Sequence, residues 1–217
     1  MEIRIQAGAV SLRDEGTRTE WNLPVGAFRL AQVPVTRELY REVMGRVNEG
    51  PGGPQSPFCD VSWLDALRFC NALSEQSGLS PCYRIGDDPD GLEAAWNIAS
   101  DGYRLPSEGE WEYACRAGSE GVRYGDLDAI AWHAGNSEER VHDVGGKLPN
   151  RWGLHDMIGN AWEWCWDLYD PTVYGSYRVF RGGGWQDLPR SCRASCRRKS
   201  HPTLRIDDLG FRVARAA

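Results

Sequence analysis

The chain has 217 residues and a formal net charge of −6, long enough for one large domain or two small ones and for burial of roughly 70% of its unfolded surface. No apolar run approaches the ~20 residues that cross a bilayer, and the start MEIRIQAG lacks the charged head and apolar centre of a secretion signal, so a cytoplasmic protein without membrane contact is expected. Seven cysteines without a CxxC pair argue against a disulfide framework and a structural zinc site, and the net acidity argues against general nucleic-acid binding.

Residues 1–10 and 26–33 carry apolar residues at strand length, with turn chemistry at Asn22–Pro24 between them. Thr36 then caps a short helix whose Tyr40, Val43 and Met44 share one face, and Gly45 ends it. Residues 46–56 read as a loop. Ser62 opens the clearest helix, with Asp65 three residues on and Trp63, Ala66, Leu67, Cys70 and Leu73 at helical spacing up to Gly78. Short strand signals follow at 82–85 and 96–98. A third helix starts at Ser107, where Glu110 completes a capping box, carries Trp111, Ala114 and Cys115 inward and ends near Gly118. Cys70 and Cys115 are therefore expected in the core. After Gly118 periodicity largely disappears for about sixty residues, and such a stretch needs something other than backbone ladders to hold it. Ten Trp and 25 Gly fit an irregular fold with long ordered loops, because rings fill space and glycine permits turns that other residues resist.

Charge is unevenly placed. Residues 178–217 hold nine Arg and one Lys against three Asp, a local +7 that leaves −13 for the rest of the chain. The four histidines, His133, His142, His155 and His201, show no ligand spacing with a carboxylate and read as loop or surface residues.

The segments PVTRELYREVMG, VSWLDALRFCNALSEQSGLSPCYRI, GYRLPSEGEWEYACRAG, NRWGLHDMIGNAWEWCWD, RVFRGGGW and LGFRVAR, in order along residues 24–215, resemble the formylglycine-generating enzyme, or sulfatase-modifying factor, family. The resemblance implies one α+β domain of the C-type-lectin-like kind over residues 1–217, with much irregular loop structure and the termini brought together in neighbouring strands. It does not fix an activity, because function lives in sites grafted onto folds.

The family's oxidases hold copper between two thiolates five residues apart, the first lying three residues after the serine of a GGS turn. In this chain the turn is Gly182, Gly183 and Gly184, Asp187 stands at the first thiolate position and only Cys192 matches the second. Ser191 replaces a tyrosine, Asp208 replaces the asparagine before LGFR, and Trp162 is kept. A copper oxidase that uses Cys192, helped by Cys196 one helical turn on, with Trp162 beside it, is thus the alternative reading, since Cu(I) needs soft thiolates. The family also holds a calcium ion at the segment GLHDMIGNAWEW, and the resemblance implies one structural Ca²⁺ at Asp156, Gly159, Ala161 and Glu163. Such a set of side-chain and carbonyl oxygens suits that ion.

The favoured reading is a non-catalytic binding module for a protein or other macromolecular ligand. Arg181, Arg193, Arg197, Arg205 and Arg212 stand at motif positions where guanidinium groups tie loops, whereas Arg178, Arg190, Arg198 and Lys199 lie between motifs and are expected to face solvent. The layout of 181–212 is similar to the variable proteins of diversity-generating retroelements, which alter side chains between a fixed RGGSW and a fixed GFR. The candidate ligand-binding residues are Gln186, Asp187, Leu188, Arg190, Ser191, Arg198, Ser200, His201, Thr203, Leu204, Ile206, Asp207 and Asp208. Leu188, Leu204 and Ile206 are apolar where polar loop residues are commoner, which can mark a contact surface.

Overall fold

The computed structural model describes residues 1–14, 16–45, 50 and 52–217. Of the loop expected over 46–56, residues 46–49 and 51 lie outside the described residues.

In chain order the elements begin with β1 (Glu2–Ile5), β2 (Gly8–Asp14), β3 (Thr19–Val25) and β4 (Phe28–Ala31). The helices α1 (Arg37–Met44) and α2 (Trp63–Gln76), the strands β5 (Tyr83–Arg84) and β6 (Ala95–Trp96), and the helices α3 (Glu108–Arg116) and α4 (Leu127–Ile130) follow. The last part holds β7 (Trp162–Leu168), α5 (Pro171–Tyr174), β8 (Arg178–Arg181), β9 (Arg197–Ser200), β10 (Leu209–Gly210) and β11 (Ala214–Ala216).

The three expected helices form where their caps lie. The Thr36 hydroxyl accepts from the Leu39 amide, and Gly45 closes α1 in the left-handed region at φ 72°. Ser62 with Asp65 and Ser107 with Glu110 make reciprocal capping boxes at the starts of α2 and α3. Cys70 and Cys115 are both fully buried, as expected.

Two expectations fail in the first and last thirds. Asn22–Pro24 is not a turn: it lies inside β3, which pairs antiparallel with β2 from Gly8–Val25 to Asp14–Thr19. Pro24 is tolerated there because this two-stranded ribbon leaves each strand an unpaired edge. The aperiodic stretch after Gly118 contains β7, one of the two inner strands of the sheet β10-β7-β8-β9. Its sequence WEWCW shows no polar face because both faces are covered. Trp162 and Trp164 enter one core cluster with Phe69, Phe180 and Phe211, while Cys165 enters a second with Trp111, Ile158 and Val179. Each fully buried aromatic ring of this kind contributes about 2–3 kcal/mol.

A second sheet of order β1-β4-β11 gathers both ends of the chain. The termini share this sheet but are not direct neighbours, since β4 runs between them and pairs antiparallel with each.

Three polar ties cross the interior. Arg212, fully buried, grips both oxygens of fully buried Glu163 at 2.7 and 2.6 Å and also donates to the carbonyls of Ala31 and His155. Trp111 donates its indole N–H to the same carboxylate at 2.7 Å. Arg181 pairs with Glu112 and Glu108 of α3, and Arg197 joins Glu108 to Asp14 of β2. Removing one partner from a pair of this kind leaves a buried charge uncompensated and typically costs about 3–5 kcal/mol.

Arg178 does not face solvent, and Lys199 is half-buried. Arg178 is buried, its guanidinium 3.8 Å from the Trp63 ring centroid, and it donates to the carbonyls of Trp166 and Gly91. Burial pushes its pKa down to about 10. Lys199 lies over the rings of Tyr169 and Tyr174 at 4.2 and 4.1 Å. Flat rings supplied by neighbouring elements absorb both cations, which motif position alone does not reveal.

Candidate functional site

The glycine turn after β8 places Asp187 under the sheet edge. Gly182 and Gly183 take φ 107° and 85°, a region closed to most side chains. The carboxylate of Asp187 is held on both oxygens: Oδ2 accepts from the Trp162 indole N–H at 2.6 Å and from the Gly184 amide at 2.9 Å, and Oδ1 accepts from Arg198 at 3.0 Å. Arg198 also donates to the Ser191 hydroxyl at 3.1 Å, and its guanidinium lies 4.6 Å from the Trp162 ring centroid.

Gly184 leaves room that Asp208 fills. A Cβ built on Gly184 would overlap the Asp208 carboxylate, so the space of a serine side chain is taken by that group. Asp208 is buried, and burial, with Asp187 and Asp207 nearby, pushes its carboxyl up to about 6. The four positions that depart from the oxidase pattern, Gly184, Asp187, Ser191 and Asp208, thus form one connected group around Arg198.

Cys192 is fully buried, and burial together with the Asp187 carboxylate pushes its thiol up to about 12. Cys196 is half-buried, packs against the core and is also raised by burial. Residues 191–196 form consecutive turns, so no helical face aligns the two cysteines. A carboxylate fixed by an indole, an amide and a guanidinium, beside a thiol kept protonated, does not fit a two-thiolate copper site.

The candidate ligand-binding residues divide. Gln186, Leu188, Arg190, Thr203 and Asp207 are exposed, and Gln186 donates to Asp207 at 3.1 Å. Ser191 and Asp208 are buried, whereas Leu204 and Ile206 pack against the core and are not a free apolar surface. Ser200 is half-buried in β9 opposite Arg178. His201 is fixed between Thr203 at 2.7 Å and Asp90 at 2.8 Å. The opposite wall of the Gln186 surface comes from Ala134, Ser137 and Glu139, which with Trp185 line a cavity. The sequence reading missed this wall, because nothing in the spacing of residues 134–139 announces it.

The other histidines are side chains with fixed partners. His133 is a buried loop residue with its Nε2 2.8 Å from Asp128, and His142 stacks on Trp132. Among the described residues no group of three or more His, Cys, Asp or Glu stands close enough to hold a metal ion. The four residues expected at calcium include only two carboxylates. Asp156 is buried, takes left-handed φ 53°, accepts from the Gly145 amide at 2.7 Å and has its carboxyl pushed up by burial. Glu163 is already shared by Arg212 and Trp111. The donor types suit calcium, with Glu163 available only as a carboxylate that Arg212 also holds.

Two small sheets, two two-stranded ribbons, a few short capped helices and long side-chain-fastened loops define a C-type-lectin-like α+β domain. The whole chain, residues 1–217, matches the sulfatase-modifying factor enzyme 1-like domain, and the protein belongs to that family. It is similar to the solved structure of Treponema denticola variable protein 1, with a TM-score of 0.89, 30% identity and coverage of 100% of this chain and 95% of that one. It is 28% identical to the chaperone protein LppX of Paenibacillus barcinonensis over 99% of this chain and 89% of the relative. It is 30% identical to the formylglycine-generating enzyme of Streptomyces coelicolor over 82% of this chain, a match that spans 58% of that enzyme's length.

Asp208 links this cluster to pH. Its folded pKa of about 6 lies above the ordinary carboxylate value. The fold therefore binds more protons than the unfolded chain between about pH 4 and 6, and the contribution of this group is lost as pH rises through 6. Asp208→Asn is expected to raise stability at pH 7.5 by about 1–3 kcal/mol. The gain should fade below pH 4 when unfolding by urea is followed across pH.

Proposed function

We propose that the protein is a non-catalytic binding module whose ligand, a protein or other macromolecule, contacts the surface carried by residues 186–208. The observation that supports this most is the state of Asp187. Where the oxidases place a metal-binding thiolate, this chain has a carboxylate fully engaged by Trp162, Gly184 and Arg198. The remaining thiol at Cys192 is buried and held in its neutral form. What stays available is a rigid frame presenting Gln186, Leu188, Arg190, Thr203 and Asp207 to solvent. Leu188 is 56% exposed, the kind of apolar side chain that a partner covers.

The likeness to Treponema denticola variable protein 1 supports a second level of the same reading, in which these side chains are diversified by a retroelement. A near-copy of the coding repeat for residues 181–212, differing at adenines and adjoining a reverse transcriptase gene, is expected beside the gene. Its absence removes diversification and leaves an invariant binding surface.

Within this reading a calcium ion serves as a fastener at Asp156, the carbonyls of Gly159 and Ala161, and Glu163. The support is the buried Asp156 carboxylate, which a cation would relieve. The melting temperature is expected to fall in EDTA and recover with excess Ca²⁺. An unchanged value would leave Arg212 as the fastener of Glu163. All seven cysteines are free and six are buried, which supports the reducing cytoplasm as the compartment. No described helix is long and apolar enough to cross a membrane.

The alternative, a copper oxidase of cysteine side chains, separates from this reading in one assay. Incubation with Cu(I), oxygen and a peptide carrying a sulfatase-type cysteine motif is expected to give no aldehyde by mass spectrometry. Enzyme-dependent aldehyde would refute the binding module and restore Cys192 to a catalytic role.

A further inference from the structure

Tryptophan rings in this protein almost always carry a partner. Seven of the ten have a cation over the face: Arg197 at Trp21, Arg178 at Trp63 and Trp166, Arg104 at Trp96, Arg181 at Trp111, Lys147 at Trp132 and Arg198 at Trp162. Two more, Trp152 and Trp164, pack against Tyr113 and Phe180. Among the described residues Trp185 has neither a cation nor a ring, and its indole N–H has no hydrogen-bond partner.

Trp185 lines a cavity of about 370 Å³ with Ala134, Ser137, Glu139 and Gln186. The two walls are tied together, since the Ser137 hydroxyl donates to the Trp185 carbonyl at 2.9 Å and the Ala134 amide to the Asp187 carbonyl at 3.0 Å. The Trp185 amide donates to the Asn160 carbonyl at 3.0 Å, which fixes its backbone from the core side. Glu139 has no ion-pair partner among the described residues, because the adjacent Arg140 turns to Glu138 at 3.1 Å.

We infer that this cavity is a subsite for a cationic side chain, lysine or arginine, of a polypeptide ligand. The inference rests on the binding-module reading and names what one part of that surface recognises. An indole face attracts a cation through its ring quadrupole, and an unpaired carboxylate supplies the counter-charge. Gln186 adds an amide at the rim, itself oriented by its bond to Asp207. An acidic ligand would meet Glu139 and Asp207 without compensation, and an uncharged one would leave Glu139 unused.

The indole N–H resonance of Trp185 in ¹⁵N-labelled protein, assigned with Trp185→Phe, provides the readout. Acetyl-Gly-Arg-Gly-amide and acetyl-Gly-Lys-Gly-amide are expected to move it saturably, whereas acetyl-Gly-Gln-Gly-amide leaves it in place. Glu139→Gln, an exposed position whose change should leave the melting temperature unaltered, is expected to weaken both cationic peptides about five- to tenfold. Raising salt should weaken them in the wild type. An equal response to the glutamine peptide, no response to either cation, or full affinity in Glu139→Gln would overturn the subsite. Putrescine binding as tightly as the peptides would overturn the polypeptide assignment in favour of a small amine. These outcomes are independent of the aldehyde assay: aldehyde formation removes the binding module, while a silent titration without aldehyde removes only this subsite.

Discussion

The buried pair of Glu163 and Arg212 is the junction at which four separate parts of the chain meet. Glu163 belongs to the inner strand β7, and Arg212 follows the last strand of that sheet. Through its remaining N–H groups Arg212 reaches the carbonyls of Ala31 at the end of β4 and His155 before the tight turn into β7. Trp111 brings α3 to the same carboxylate. Two sheets, one helix and one loop therefore meet at a single carboxylate with both oxygens occupied, and the charges are tolerable in the interior because each is paired and hydrogen-bonded. The site depends on this junction, since Trp162, the neighbour of Glu163 on β7, is the residue that positions Asp187.

Around Asp187 the chemistry of the family's thiolate position has been exchanged rather than merely erased. A carboxylate, an arginine and a serine occupy the region with mutually satisfied bonds, and Asp208 fills the space of a serine side chain at 184. In this cluster Asp187 is held by the Gly184 amide and Arg198, Ser191 by Arg198, and Asp208 occupies the volume beside Gly184.

Legibility from the sequence followed the range of the interaction. The helices were readable because Thr36, Ser62 and Ser107 act within one turn, and the arginine ties at 181, 197, 205 and 212 were readable because their motif positions carry them. The β2–β3 ribbon was missed because Asn22–Pro24 has turn chemistry, while its pairing with residues 9–11 outweighs that local preference. Strand β7 was missed because burial on both faces removes the alternation that reports a strand. Arg178 reads as a surface charge in the sequence because the ring that holds it, Trp63, lies far away along the chain. At the site, each of the four departures could be read singly, but their mutual contacts and the wall at 134–139 exist only in three dimensions.

A side chain at 184 and the carboxylate of Asp208 compete for one volume. The coupling is one-sided: a serine at 184 requires the Asp208 side chain to shift or shorten, whereas position 208 can change alone while 184 is glycine. The glycine therefore sets the order in which the two positions can be substituted, 208 before 184.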